Sequence, residues 1–256
     1  EIRLSLVGSE MCIRDRLKTE LKLSLRGMDM FIFAICVPLV VLAVIGIIYG
    51  DRPAFGGAGY SFLEQSFGAV TTISICAGGV MGLPLVVSDY RSKGILKRYK
   101  VTPVSPSMIL AVQVTIYTLY AAVSLVLLYT EAVVFFGYQF RGSFVSFLGC
   151  YLLVIVSMFS IGMLVGGIAP NTKIASVAAS LLYFPMLIFS GATLPYEIMP
   201  KVLQKAADIM PLTQGIKLLK AASLGEEFGS VIVPVVTIVC IAVICTSAAL
   251  KFFQWE

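Results

Sequence analysis

Residues 88–106 read S-D-Y-R-S-K-G-I-L-K-R-Y-K-V-T-P-V-S-P, and they form a basic island between two long apolar segments. Ser88 has the chemistry of an N-cap, Asp89 suits a positive first turn, and Lys97, Arg98 and Lys100 suit a negative last turn. Pro103 forbids continuation. The pattern predicts a short helix of about three turns. Ile95, Leu96 and Tyr99 share one face at helical spacing, while Arg91, Lys93, Lys97 and Lys100 occupy the rest. Two readings follow. A membrane interface explains the charges, but a capped helix with a defined apolar corner suits a groove on a partner protein.

The surrounding chain decides the class. Of its 256 residues, 59% are hydrophobic and 13% charged, with a mean hydropathy of +0.96. That composition belongs to membrane proteins. Apolar runs fall at about 30–49, 62–87, 108–129, 144–168, 174–194 and 231–253, each near the roughly 20 residues that a helical span requires. The expected fold is an all-α integral membrane protein with six transmembrane helices. Pro38 is expected to kink the first run, supported by neighbouring helices, and Gly78 and Gly82 in the second and Gly162 and Gly166 in the fourth have the spacing of close helix approach. Residues 17–29 carry Leu17, Leu21 and Leu25 on one stripe with Lys18, Lys22 and Arg26 on another, an amphipathic helix for the interface. Residues 1–16 resemble translated sequencing-adapter read-through and are expected to be a non-native or disordered tail. The single membrane domain is then 17–256.

Lys and Arg set the orientation. The side bearing residues 88–106 has ten: Lys18, Lys22, Arg26, Arg91, Lys93, Lys97, Arg98, Lys100, Lys173 and Lys251. The other side has six: Arg52, Arg141, Lys201, Lys205, Lys217 and Lys220. Both termini are therefore expected in the cytoplasm. The net charge of +5 is a topology signal confined to the inter-span segments, so no nucleic-acid partner is expected.

Residues 189–225 are too polar and too proline-rich to span, yet Ile198, Val202, Leu203 and Ala206, then Ile216, Leu219 and Ala222, recur at helical spacing. Two short helices separated by Met210-Pro211-Leu212 fit. Broken helices at membrane depth need burial in protein or a water-lined cavity.

Chemistry is sparse. The chain has no histidine, which removes His-based triads and His-ligated zinc. Its six cysteines form no C-x-x-C pair, and no metal site or catalytic residue is expected. It has no G-x-x-x-x-G-K-[ST], so no ATP binds here through a P-loop. Carboxylates fall at span ends or in loops, which weighs against an ion-coupled secondary transporter. A membrane-embedded assembly subunit is a further alternative.

The run D-Y-R-S-K-G-I-L-K-R-Y-K-V-T-P-V-S-P resembles the segment joining the second and third membrane helices in permease subunits of type-2 ABC exporters. The F-S-G of 189–191, the Pro-containing hairpin and the P-L-T of 211–213 resemble that family's stretch before its last span. The resemblance covers about 17–255. It implies a cytoplasmic coupling helix that inserts into a separate ATPase subunit through Asp89, Arg91, Lys93, Gly94, Ile95, Leu96, Lys97 and Tyr99. The amphipathic helix at 17–29 becomes a connecting helix packed beside it. The 190–225 stretch becomes a re-entrant helical hairpin at the exit, shaped by Ser190, Gly191, Pro195, Pro200 and Pro211. ATP and Mg would reside on the partner, and a second permease copy or a paralogue would complete the membrane part. The locale implied is the prokaryotic plasma (inner) membrane. A pathway at the dimer interface would be lined by Thr71, Ser74, Met81, Phe184, Met186 and Phe189. Such a lining suits a hydrophobic or amphiphilic cargo, lipid-like or drug-like, while polysaccharide, haem and sodium export stay open because the family's motifs report coupling and not cargo.

Overall fold

The computed structural model describes residues 17–22, 24, 31–50, 52–53, 59–94, 106–190, 200–225 and 228–252. Its helices are α1 (Ile32–Tyr49), α2 (Phe62–Ser92), α3 (Pro106–Phe136), α4 (Phe144–Ile168), α5 (Thr172–Phe189), α6 (Lys201–Ile209), α7 (Pro211–Leu224) and α8 (Phe228–Phe252). Six of them, α1 to α5 and α8, are long and apolar enough to cross a membrane. Among the described residues the only β-pairing is an isolated bridge between Pro53 and Ser61. Residues 17–22 are also helical, with Leu17 and Leu21 against the core. The expected tail at 1–16 and Leu25 lie outside the described residues.

α2 is the hub. It is 83% buried along its most apolar stretch, against 17% for α8 and 22% for α5. Small residues account for this position. A methyl at Gly162 of α4 would collide with the Gly79 carbonyl of α2, and one at Gly166 would lie 2.9 Å from Val87 Cβ. Gly162 thus meets α2 at Gly79 rather than at the expected Gly78. Gly78 has only ordinary contact with Tyr117.

Two wide π-helical turns, Ile32–Cys36 in α1 and Ala77–Gly82 in α2, each end two residues before a proline. Proline brings no N–H and crowds the carbonyl four residues back, and a widened turn relieves both problems. For Pro38 that carbonyl belongs to Ala34. Ser74 of α2 donates to it at 2.6 Å, and the Ser74 and Ser124 hydroxyls lie 2.8 Å apart. The proline of one span is thereby completed by a side chain of the next.

Three boundaries differ from expectation. α2 does not stop at 87 but runs to Ser92, because nothing from Val87 onward breaks a helix before Gly94. Its 31 residues measure about 45 Å, well beyond a hydrocarbon core of about 30 Å. α3 continues past 129 to Phe136 and so includes Glu131, which the sequence places in a loop. α5 ends at Phe189, five residues short of the expected 194.

Candidate functional site

The stretch from residue 88 is built differently from its sequence reading. Ser88 is not an N-cap. It is fully buried in the last two turns of α2, and its hydroxyl donates back to Leu85 O at 3.0 Å. Asp89 therefore sits near a helix C-terminus, and its carboxylate is paired with Lys93 at 2.7 Å across one turn. Gly94, at φ +62°, ends the helix in the left-handed region that glycine alone enters without cost. Ile95, Leu96, Lys97 and Tyr99 lie outside the described residues.

The final turns of α2 are tied to three other elements. Tyr90 Oη donates to Glu20 Oε2 at 2.6 Å, and Gln113 Nε2 of α3 donates to Tyr90 Oη at 2.8 Å and to Glu20 at 3.2 Å. Arg91 donates to the carbonyls of Gly167 and Ala169, at 3.0 and 3.2 Å. These are carbonyls at the end of α4, where a helix leaves acceptors unfilled and its dipole favours a cation. Asn171 then caps α5 by accepting from Ile174 N. Arg91 thus spans the α4–α5 turn, a role that the sequence reading, which assigned it to docking, did not anticipate. The missed signal was Gln113, a polar residue in an apolar run, which needs a partner in a span.

On the opposite side, Ser61 and Glu64 form a reciprocal capping box at the start of α2, at 2.9 and 3.2 Å. The S-x-x-E spacing was legible in the sequence and passed over. Glu64, 6% exposed, also meets Arg141 at 3.2 Å. Arg141 donates to Gly59 O at 2.6 Å, and the backbone N–H groups of Arg141 and Gly142 donate to Ser223 O of α7. Burial holds the neighbouring Tyr138 phenol above its ordinary pKa, so it stays a neutral O–H. Its ring packs 4.7 Å from Phe67.

The expected pair of short helices is present as α6 and α7, with the break at Met210 and Pro211 at the first position of α7, where a missing N–H costs nothing. Pro200 directly precedes α6, and Ser190, buried, donates to Leu187 O at 2.9 Å. Gly191 and Pro195 lie outside the described residues. α7 is not simply amphipathic. Leu212 to Ile216, Leu218, Leu219, Ala221 and Ser223 are all buried. A methyl at Gly215 would touch Thr72, ten residues or about 15 Å into α2, whereas one at Gly68 would lie 2.7 Å from Lys220 N. α7 therefore starts beside the middle of α2 and climbs to the loop at Arg141.

The six expected pathway residues differ in burial. Thr71 and Ser74 are buried among helices of the same chain, with Thr71 donating to Phe67 O. Both hydroxyls are enclosed by their own chain. Met81 and Phe189 are half-buried and Met186 is buried, while Phe184 faces outward.

Comparison with known proteins gives a match to the family described as ABC-2 type transporter over residues 16–224. Nodulation protein J of Sinorhizobium fredii is 31% identical over 94 residues, 37% of this chain and 34% of that protein. Nodulation protein J of Neorhizobium galegae is 32% identical over 94 residues, with the same shares, and that of Rhizobium leguminosarum bv. viciae is 33% identical over 72 residues, 28% of each. The matched stretch spans about a third of the length of these relatives or less.

Proposed function

The chain belongs to the ABC-2 type transporter family, and from that premise we propose that it is the permease subunit of an ATP-driven exporter whose ATPase is a separate subunit. As a family member it is a multi-pass membrane transport component. In the proposed mechanism the ATPase grips residues 88–106, with Ile95, Leu96 and Tyr99 as the apolar corner. ATP and Mg stay on that partner. The prokaryotic inner membrane is the proposed setting, with residues 88–106 and both termini on the cytoplasmic side.

The observation that carries this reading is the end of α2. The helix leaves the bundle unbroken, and its last two turns are hydrogen-bonded to residues 17–22, to α3 and to the α4–α5 turn. A push at Lys93 and Gly94 is therefore delivered to several elements at once, as a two-state lever requires. At the far end, α7 rises from beside Thr72 to the outer loops, which supports a re-entrant hairpin that caps the exit.

The proposed second copy would meet α5. Ile174, Val177, Leu181, Phe184 and Ile188 all point outward, spaced 3, 4, 3 and 4 residues apart. Lipid demands no such seam, whereas a facing helix does. The cargo proposed is hydrophobic or amphiphilic, carried along that interface.

The test is gentle solubilisation of the tagged chain, with Leu96→Glu beside it. The expected result is a co-purifying P-loop ATPase that the variant loses while its insertion stays intact. Co-purification unaffected by Leu96→Glu would remove the docking role, and no ATPase under several detergents would remove the reading.

A further inference from the structure

α7 carries charge to a depth that lipid does not tolerate. The Phe62 ring packs 4.4 Å from that of Tyr49, which ends α1, the most apolar of the six spans, and Asp51 and Arg52 follow in sequence. Phe62 thus marks the outer edge of the hydrocarbon core, where aromatic rings settle. From there α7 runs antiparallel to α2, with Lys220 beside Gly68 and Gly215 beside Thr72. Lys217 is therefore level with about residue 70 of α2, about 12 Å below that edge at 1.5 Å per residue. Half of a hydrocarbon core is about 15 Å.

At that depth Lys217 Nζ is paired with Asp208 Oδ1 of α6 at 2.6 Å, and the two side chains are 36% and 40% exposed. Asp208 is held at the same level, because its carbonyl accepts from Gln214 Nε2. The tip of the hairpin also holds polar atoms that the protein does not satisfy. Thr213 Oγ1 and Gln214 Oε1, in the first turn of α7, are buried and have no hydrogen-bond partner among the described residues. Lipid neither solvates an open ion pair nor bonds those oxygens, whereas water does both.

α6 has two unlike sides. Lys201, Gln204, Lys205 and Asp208 recur on one of them at helical spacing, while Val202 and Ile209, 80% and 78% exposed, share the other. Among its residues only Ala207 is buried. Such a helix divides lipid from water. A second copy laid on the polar side would strip water from the whole stripe and from the ion pair, a cost that pairing seldom offsets.

We infer that the polar side of the α6–α7 hairpin lines a water-filled vestibule that reaches the middle of the membrane from the side bearing Arg141, with the Asp208–Lys217 pair at its floor. The inference depends only on the chain spanning a membrane, so it stands whether or not an ATPase co-purifies. On the function proposed above, the vestibule is the outer half of the export path, and the polar part of a cargo crosses it hydrated.

The experiment expresses the full chain in cells and adds a charged, impermeant methanethiosulfonate to intact cells and to inside-out vesicles, with the unaltered chain setting the background of native cysteines. Gln139→Cys, in the loop beside Arg141, reports the side that this loop occupies. Lys217→Cys should react from the same side, about tenfold faster than Val236→Cys on the exposed face of α8, because the reactive thiolate forms where water reaches it. Lys217→Ala should lower the melting temperature of the purified chain in liposomes by about 2 °C or less, as a wet ion pair requires. The double variant Asp208→Leu, Lys217→Leu should not raise it. Reaction of Lys217→Cys no faster than that of Val236→Cys, or only from the side opposite Gln139→Cys, would overturn the inference. So would a fall of about 10 °C for Lys217→Ala, the mark of a pair broken in a dry site, or a rise for the double leucine variant, the mark of a lipid-facing one. If Lys217→Cys fails to insert, the double leucine variant decides.

Discussion

The two ends of α2 are held in opposite ways. On the side of Ser61 the constraint is largely main chain: Gly68 lies so close to Leu219 and Lys220 that a methyl would meet their backbone at 2.9 and 2.7 Å. Glu64 is enclosed in a capping box and an ion pair, and α7 covers the flank. On the side of Gly94 the constraint is a set of side chains, Tyr90, Arg91 and Gln113, reaching across to other elements. Main-chain contact between packed helices is rigid because neither partner has a rotamer to change. Side-chain hydrogen bonds are each worth little net and exchange readily. On the function proposed above, that difference would make α2 a lever anchored at one end and able to re-seat at the other.

Four substitutions test that contrast. The largest effect is expected at the anchored end, from Gly68→Ala. Its new methyl can be accommodated only by moving α7, at a cost of about 3 kcal/mol or more. Denaturant unfolding of the purified protein should register it, while Gly149→Ala, with open space around it, should change nothing. A Gly68→Ala chain as stable as its parent would dissolve the anchor.

Next is Glu64→Gln, which keeps an acceptor for the Ser61 box and removes the charge facing Arg141. Arg141 is 44% exposed, so solvent absorbs much of the loss and about 1 kcal/mol remains. A double-mutant cycle with Arg141→Gln isolates the pair. A coupling energy of zero would assign the anchor to α7 packing alone.

Arg91→Ala should cost stability less than it costs function. Gly167 and Ala169 are buried but Arg91 is only half-buried, so water can take the place of its guanidinium, unfolding shifts by about 1 kcal/mol, and the α4–α5 turn is released. With the ATPase reconstituted, hydrolysis should persist while transport falls about tenfold, and Arg91→Lys, which keeps a cationic donor, should restore part of it. Parallel loss of hydrolysis and transport would make Arg91 a structural cap only.

The smallest effect is expected from Lys93→Ala. Its pairing with Asp89 is an exposed one-turn ion pair worth about 0.3–0.5 kcal/mol. Added salt should shrink that difference further. A loss above about 1 kcal/mol would mean that this end is anchored too.

Much of this was open to a sequence reader. Six spans, the two short helices with their break at Met210, the N-terminal apolar stripe at Leu17 and Leu21 and the family resemblance all come from hydropathy, proline placement and motif. Other features were readable and mis-assigned. Ser88 has cap chemistry, but a cap acts only where a helix begins, and the helix of Leu83–Ser92 was already running. Gly78 sits at the spacing of a contact motif, but the wide turn at Ala77–Gly82 turns Gly79 toward Gly162 instead.

What the sequence by itself determined is whatever can be summed along the chain: which segments are apolar enough to span, which side carries the cations, and where proline or glycine stops a helix. The tertiary structure decided which span became the hub, which glycines touch, which carbonyls Arg91 caps, and that α3, α4 and α8 share a cavity of about 550 Å³. The physical reason is that hydropathy and charge act on each segment independently. A hydrogen bond between residues 91 and 167, or a void shared by three helices, exists only after crossing angles and rotations about each helix axis have been set by packing.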